Sequence, residues 1–221
     1  MGFGKKNQLV GVDIGSFAIK VVEIDQTKTG RFLKNFGMIG LPRNAIREGD
    51  IVEQEVVAEA LRKLFKNLKI RNQNVAVALS GYPVMAKRVT LPHSEKEKIE
   101  ATIHDQAEQY IPFDINDVNL DFDILENEEN LSEGENANED KSLEVMLVAA
   151  KKDVIDAYVD LLAAADLNPG VLDVDVFALQ NAAELNITGE EEGYAVVNVG
   201  AEELGINTVV DGTSLFSRDS S

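Results

Sequence analysis

Two residues of opposite charge, Asp13 and Lys20, stand on either side of a glycine-containing turn in LVGVDIGSFAIKVVEI, residues 9–24. A carboxylate and an ammonium so placed can hold a phosphate chain together with its magnesium. Gly15 lets the backbone come close. Backbone N–H groups and the Ser16 hydroxyl can donate to phosphate oxygens. Asp13 can reach a hydrated Mg²⁺, which keeps several waters and takes one or two carboxylates. The plainer alternative is an ordinary β-hairpin with a surface Asp and Lys, because short motifs recur by chance. A second pair, Asp173 and Asp175, suits general acid–base work, or simply the start of a helix, where the dipole favours negative charge. The sequence contains neither G-x-x-x-x-G-K-[ST] nor G-x-G-x-x-G. His93 and His104 have no metal-like spacing and read as surface residues.

The elements that must position these groups follow from periodicity. Val10, Val12 and Ile14 alternate with Gly11 and Asp13, the two-residue period of a strand. Residues 19–24 resume it with β-branched side chains, and residues 31–39 make a third strand. Asp50 is positioned to cap a helix over 51–68, with Val52, Val56, Val57, Ala60, Leu61, Leu64, Phe65 and Leu68 as its apolar stripe. Residues 74–79 are a short strand. Three strands, a helix and a strand make the first half of an α/β unit.

Beyond the punctuation Ser80-Gly81-Tyr82-Pro83 the character changes. Residues 84–91 form a strand. Ser94 and Glu97 form a capping box for a helix running to about 110, with Ile99, Ile103 and Ala107 on one face. Residues 118–125 alternate as a half-buried strand. Residues 126–141 are an acidic connection with too little apolar content to order themselves. Residues 143–150 form the return strand, and 153–165 a helix ended by Asn168-Pro169-Gly170. This reads as a small α+β module inserted into the α/β unit. A strand over 170–176 then leads into a helix over 177–184, and 189–192 is a charged turn. The end repeats the opening in kind: strand 194–199, a turn at Gly200-Ala201-Glu202-Glu203, strand 204–210, the hairpin signal Asp211-Gly212, and strand 213–218. Two such hairpins facing each other could grip a nucleotide.

The 221 residues carry a net charge of −18. That charge argues against nucleic acid, which needs a basic face, and against unassisted binding to an anionic membrane. Without cysteine there are no disulfides and no thiolate metal sites. The first residues lack the apolar core of a signal peptide, and no stretch approaches the ~18 apolar residues of a membrane span. These features predict a soluble, cytoplasmic protein.

The two hairpins, with LDVDVFALQNA between them, resemble the actin-like ATPase superfamily, which includes actin, the large heat-shock chaperone ATPases, sugar kinases, MreB and FtsA. VGVDIGSFAIKVVEI is similar to that superfamily's first phosphate loop, and VVNVGAEELGINTVVDG to its second. Within it, the text RVTLPHSEKEKIEATIHDQAEQYIPFDINDVNLDF and the piece QAEQYIPF resemble the PilM family of type IV pilus assembly. The resemblance implies an α/β, actin-like (ribonuclease H-like) fold with an FtsA-type 1C α+β insertion. It implies subdomain 1A over 1–83 plus 167–192, 1C over 84–166, and the start of 2A over 193–221, a chain truncated within domain 2.

Carried over by residue, the resemblance puts Asp13 beside the Mg²⁺ and Lys20 near the phosphates of ATP. Gly15, Ser16 and Phe17 present backbone to the phosphates. Asn198, Gly200 and Ala201 form the second loop, and Asp175 takes the catalytic acidic position that orients water. Asn198 and Ala201 depart from the wider D-x-G-G pattern, which weakens the case for fast hydrolysis more than for binding. The implied role is an ATP-binding scaffold, at most a weak ATPase. It would take the N-terminal peptide of PilN in the 1A/1C groove, relay to the pilus motor ATPase, self-associate, and meet the inner membrane only through PilN. An FtsA-like division filament and a small-molecule kinase of the same superfamily remain as alternatives.

Overall fold

A computed structural model describes residues 8–47, 49–92, 100–103, 106–125, 142–187 and 193–220. The predicted features at Ser94 and Glu97, at His93 and His104, in the acidic stretch 126–141 and in the turn 189–192 lie outside the described residues.

The opening alternation is realised as strand β1 (Val10–Ile14), which buries Val10, Val12 and Ile14 and leaves Gly11 and Asp13 exposed. β2 (Ala18–Thr27) and β3 (Gly30–Gly40) continue it as an antiparallel meander. A two-residue hairpin, β4 (Ile46–Arg47) with β5 (Asp50–Ile51), follows. This corrects the predicted helix start. Asp50 belongs to the hairpin, and α1 spans Gln54–Leu68. Ala45 O accepts from the N–H groups of both Val52 and Glu53, which turns the chain before the helix begins. Val52 accordingly stands outside the stripe and is exposed, whereas Val57, Leu61, Leu64 and Phe65 are buried as expected.

β6 (Asn74–Leu79) joins β1 in parallel, and β10 (Asn168–Val174) joins β6 in parallel, completing a five-stranded sheet of order β10-β6-β1-β2-β3. Parallel neighbours need long crossovers. The first contains α1; the second contains a whole module. That module is a sheet of order β7-β9-β8, from β7 (Val84–Pro92), β8 (Val118–Ile124) and β9 (Ser142–Lys151), with 3-10 turns at Ala107–Gln109 and Ile115–Asp117. Helix α2 (Lys152–Ala164) then packs beside α1 over the five-stranded sheet.

Asn168-Pro169-Gly170 is a second correction. These residues open β10 rather than stop the helix, which ends as Asp166 takes a left-handed φ of 59°. β10 is the outer strand of its sheet, where a proline's missing N–H is tolerated, and its register shifts between Pro169 and Val171.

Two cores result. The larger joins Val10, Val12, Ile19, Val75 and Val77 of the sheet to Leu61 and Phe65 of α1 and to Leu161 and Leu162 of α2. The smaller lies within the module and holds Val89, Leu91, Ile103, Ala107, Val118, Val145 and Leu147. Helix α3 (Asp175–Glu184) leaves β10 without a break and packs against β6, β10 and the last sheet. That sheet is the meander β11 (Gly193–Val199), β12 (Leu204–Val210) and β13 (Thr213–Ser220). Its second turn has Asp211 at φ 50° and Gly212 at φ 70°, the paired positive φ values that an Asp-Gly hairpin supplies.

Candidate functional site

Asp13 and Lys20 are cross-strand partners in the β1–β2 pair, and Lys20 Nζ lies 2.6 Å from Asp13 Oδ2. Both are exposed, so the pair contributes little to stability. Between them Gly15, Ser16 and Phe17 form the turn. Gly15 N–H donates to Ala18 O, and Leu41 N–H donates to Phe17 O, which ties the turn to the end of β3. In the last sheet Gly200 N–H donates to Glu203 O at 2.8 Å and closes the second turn in the same way.

α3 begins where these two meanders approach each other. Asp175 is its first residue, as the helix-start reading has it, whereas the strand predicted over 170–176 ends at Val174. Burial raises the Asp175 carboxyl to about 7. The Asp219 carboxylate, and then those of Glu203 and Asp13, push the same way, while the Val176 N–H opposes them. Below it, on α2, burial and the charges of Glu203, Asp13, Asp175 and Asp50 push the Tyr158 phenol up to about 12. Asp13 of the first hairpin and Glu203 of the second therefore act on the same two groups. Gly81 N–H donates to Asp219 Oδ2 at 3.3 Å, linking the β6–β7 connection to the last strand. The charges of Asp219, Glu203 and Asp13 all act on Asp175, a repulsion that a cation would relieve. Among the described residues no three acidic or histidine side chains converge as direct metal ligands. A Mg²⁺ here would therefore be taken as a hydrated ion rather than in a protein cage.

Two cavities flank α3. The smaller, about 30 Å³, is lined by Ser80, Gly81, Asp175, Asn198, Asn207 and Asp219, among others. It has room for one or two waters, not for a nucleotide. Asp175 and Asn198 thus share one cavity. Gly15, Ser16, Phe17, Gly200 and Ala201, on the two turns, and Asp13 and Lys20, on β1 and β2, lie outside its lining. The larger cavity, about 450 Å³, runs between the module, β10, α3 and the β12–β13 turn. Leu120, Phe122, Met146, Val148, Leu172 and Phe177 supply apolar walls, and Asp121, Asp123 and Asp173 supply carboxylates.

This fold has known counterparts. The sequence matches the family described as "Type IV pilus assembly protein PilM" over residues 11–221. The chain belongs to the PilM family. A solved structure of the PilM-PilN type IV pilus biogenesis complex is similar at 27% identity and TM-score 0.83; the match covers 96% of this chain and 61% of that one. The cytoplasmic domain of EpsL, an inner membrane component of the type II secretion system of Vibrio cholerae, matches at 15% identity and TM-score 0.58, over 96% of this chain and 71% of that one. The ethanolamine utilization protein EutJ from Carboxydothermus hydrogenoformans matches at 13% and 0.53, over 99% and 53%. The last two show the fold alone, the actin-like one expected. This PilM-family chain therefore spans about three-fifths of the length of its solved relative. No helix among its described residues is long and apolar enough to cross a membrane, which says nothing of strands.

Asp219 and Tyr158 escaped the sequence reading, and Glu203 and Gly81 were visible only as turn residues. Asp219 meets Gly81 across 138 positions and has no local signal. The two turn glycines differ in kind. A Cβ at Gly200 would come within 2.9 Å of the Glu203 backbone oxygen, so the turn itself requires glycine. At Gly15 a Cβ would meet only Ala18 O at 3.4 Å, an ordinary contact. We expect Gly200→Ala to cost this PilM-family chain about 1–2 kcal/mol and Gly15→Ala less than about 0.5 kcal/mol. Denaturant midpoints of the two variants measure this, and equal losses would mean that the first turn also needs glycine for its own fold.

Proposed function

We propose that the chain is an actin-like, ATP-binding scaffold of type IV pilus assembly whose large groove takes the N-terminal cytoplasmic peptide of PilN. The supporting observation is the 450 Å³ cleft between module, sheet and meander, in a family with a member solved in a PilM-PilN complex. The protein is cytoplasmic and is held at the inner membrane by PilN. From there it relays to the pilus motor ATPase and self-associates.

Mg-ATP would be held at the two turns: Asp13 would take the hydrated Mg²⁺, Asp175 would orient water, and Lys20 with the backbone of Gly15, Ser16 and Phe17 would hold the phosphates. Asn198, Gly200 and Ala201 would supply the second turn. The magnesium, when bound, neutralises phosphate charge. The spare room at Gly15, which the turn does not need, supports close approach of a phosphate. Asn198 and Ala201 make the second turn poorly suited to fast hydrolysis, so the nucleotide serves as a switch. α3 carries Asp175 at one cavity and Phe177 and Gln180 at the other. Nucleotide can therefore bias the groove, provided that it binds the two groove states with different affinity.

Calorimetric titration with a synthetic PilN N-terminal peptide tests the reading. Saturable binding is expected, and its absence would sink the proposal. Titration with ATP gives a second result. Asp13→Ala is expected to remove the Mg²⁺ dependence of ATP binding while leaving metal-free ATP bound as well as before or better, because Lys20 loses its internal partner. A variant that keeps the full Mg²⁺ dependence would take Asp13 out of the site.

A further inference from the structure

We propose that the occupant of the large groove adds to the module as a fourth strand on the open edge of β8, and that its side chains include at least one basic residue. The inference rests on the groove reading above and goes on to say how recognition works.

Five consecutive residues of β8, Asn119 to Asp123, line the groove. Successive side chains of a strand point to opposite faces. A cavity that touches five in a row therefore lies along the strand's edge, where the main chain is presented. The sheet order β7-β9-β8 makes that edge free among the described residues. Its hydrogen-bonding phase is readable. Leu125 N–H donates to Glu144 O at 2.9 Å, so Asn119, Asp121 and Asp123, in step with it, turn their main-chain groups toward β9. Leu120 and Phe122 then present N–H and C=O outward. Phe122 N–H is met by the Asp121 carboxylate at 2.9 Å, which holds that donor until a partner strand replaces it.

The groove's chemistry selects the partner. Met146, Val148, Leu172 and Phe177 accept apolar side chains from one face of an added strand. Asp121, Asp123 and Asp173 line the same groove on a chain of net charge −18. Inward-facing charges on an edge strand deter pairing with a second, equally acidic copy. They favour instead an extended apolar segment that carries Arg or Lys, a strand-addition mode with main-chain bonds for affinity and side-chain pockets for specificity.

The test uses the PilN N-terminal peptide and a set of single backbone N-methylated versions, titrated against the unmodified protein. N-methylation removes one donor at a time. We expect alternate positions to lose about 10-fold or more in affinity and the positions between them to stay within about threefold. Binding of the unmodified peptide with no two-residue period in the scan would overturn strand addition while leaving the PilN reading intact. No binding of the unmodified peptide would overturn both. The double variant Asp121→Asn, Asp123→Asn checks the charge requirement. We expect about 5–10-fold weaker binding at low salt and a flatter salt dependence; unchanged affinity and salt slope would overturn the basic-residue part.

Discussion

Asp175→Asn raises the melting temperature, and the gain grows as pH rises. The group's ordinary value is 3.8, and burial, with Asp219, Glu203 and Asp13 nearby, raises it to about 7 in the folded chain. A carboxyl whose folded value is raised binds more protons folded than unfolded, so stability falls with pH between those values. The penalty is absent below about 4 and complete above about 7. At 1.36 kcal/mol per tenfold change, its ceiling is about 4 kcal/mol, and local relaxation and water reduce this to about 1–3 kcal/mol. For a chain of this size that is a shift of about 3–10 °C at pH 8, with little change near pH 4. Thermal melts of both proteins across pH 4–8 measure it. A gain independent of pH would mean that Asp175 is not strained by its charge. The same repulsion predicts that Mg²⁺ at pH 8 stabilises the native chain more than the Asn variant, because only the native chain has that charge to neutralise.

Leu147→Ala unfolds the module before the rest of the chain. Leu147 is 1% exposed and sits in β9, the central strand of the module, within a core that shares no residue with the core beneath the five-stranded sheet. Truncating a buried leucine costs about 2–5 kcal/mol through lost transfer energy and the cavity left behind. With a separate core, that loss falls on β7, β8 and β9 as a local opening. Hydrogen exchange should quicken by about two to three orders of magnitude in those strands while β1 and β6 keep their protection. Binding of PilN peptide should fall with it, since Met146, Val148 and the β8 edge form one wall of the groove. Leu161→Ala, in the larger core, should instead weaken protection in the five-stranded sheet. Equal losses in both sheets from Leu147→Ala would show that the two cores unfold as one unit.

Much of the architecture was legible along the chain because strand and helix are local patterns. Val10, Val12 and Ile14 alternate in sequence and are buried in alternation; α1's stripe at Val57, Leu61, Leu64 and Phe65 faces the core. Asp211-Gly212 turned as its positive φ values demand. Misreadings came where a local signal had more than one solution. Asp50 was a good cap, but a two-residue hairpin used it first. Asn168-Pro169-Gly170 looked like a helix stop, but an outer strand can hold a proline.

The site divides along the same line. The first hairpin places Asp13 opposite Lys20 by register alone, seven residues apart, so its chemistry was written in sixteen consecutive residues. The company that Asp175 keeps was not. Asp13 comes from the first meander and Glu203 and Asp219 from the last, and the groove joins Leu79 to Ser214. The sequence by itself determined the elements, their faces and the two turns, because a side chain's period and a glycine's φ depend on near neighbours. Tertiary packing alone decided which carboxylates share an environment and which strand edge lies open, because both depend on segments that meet only when the sheets and α3 come together.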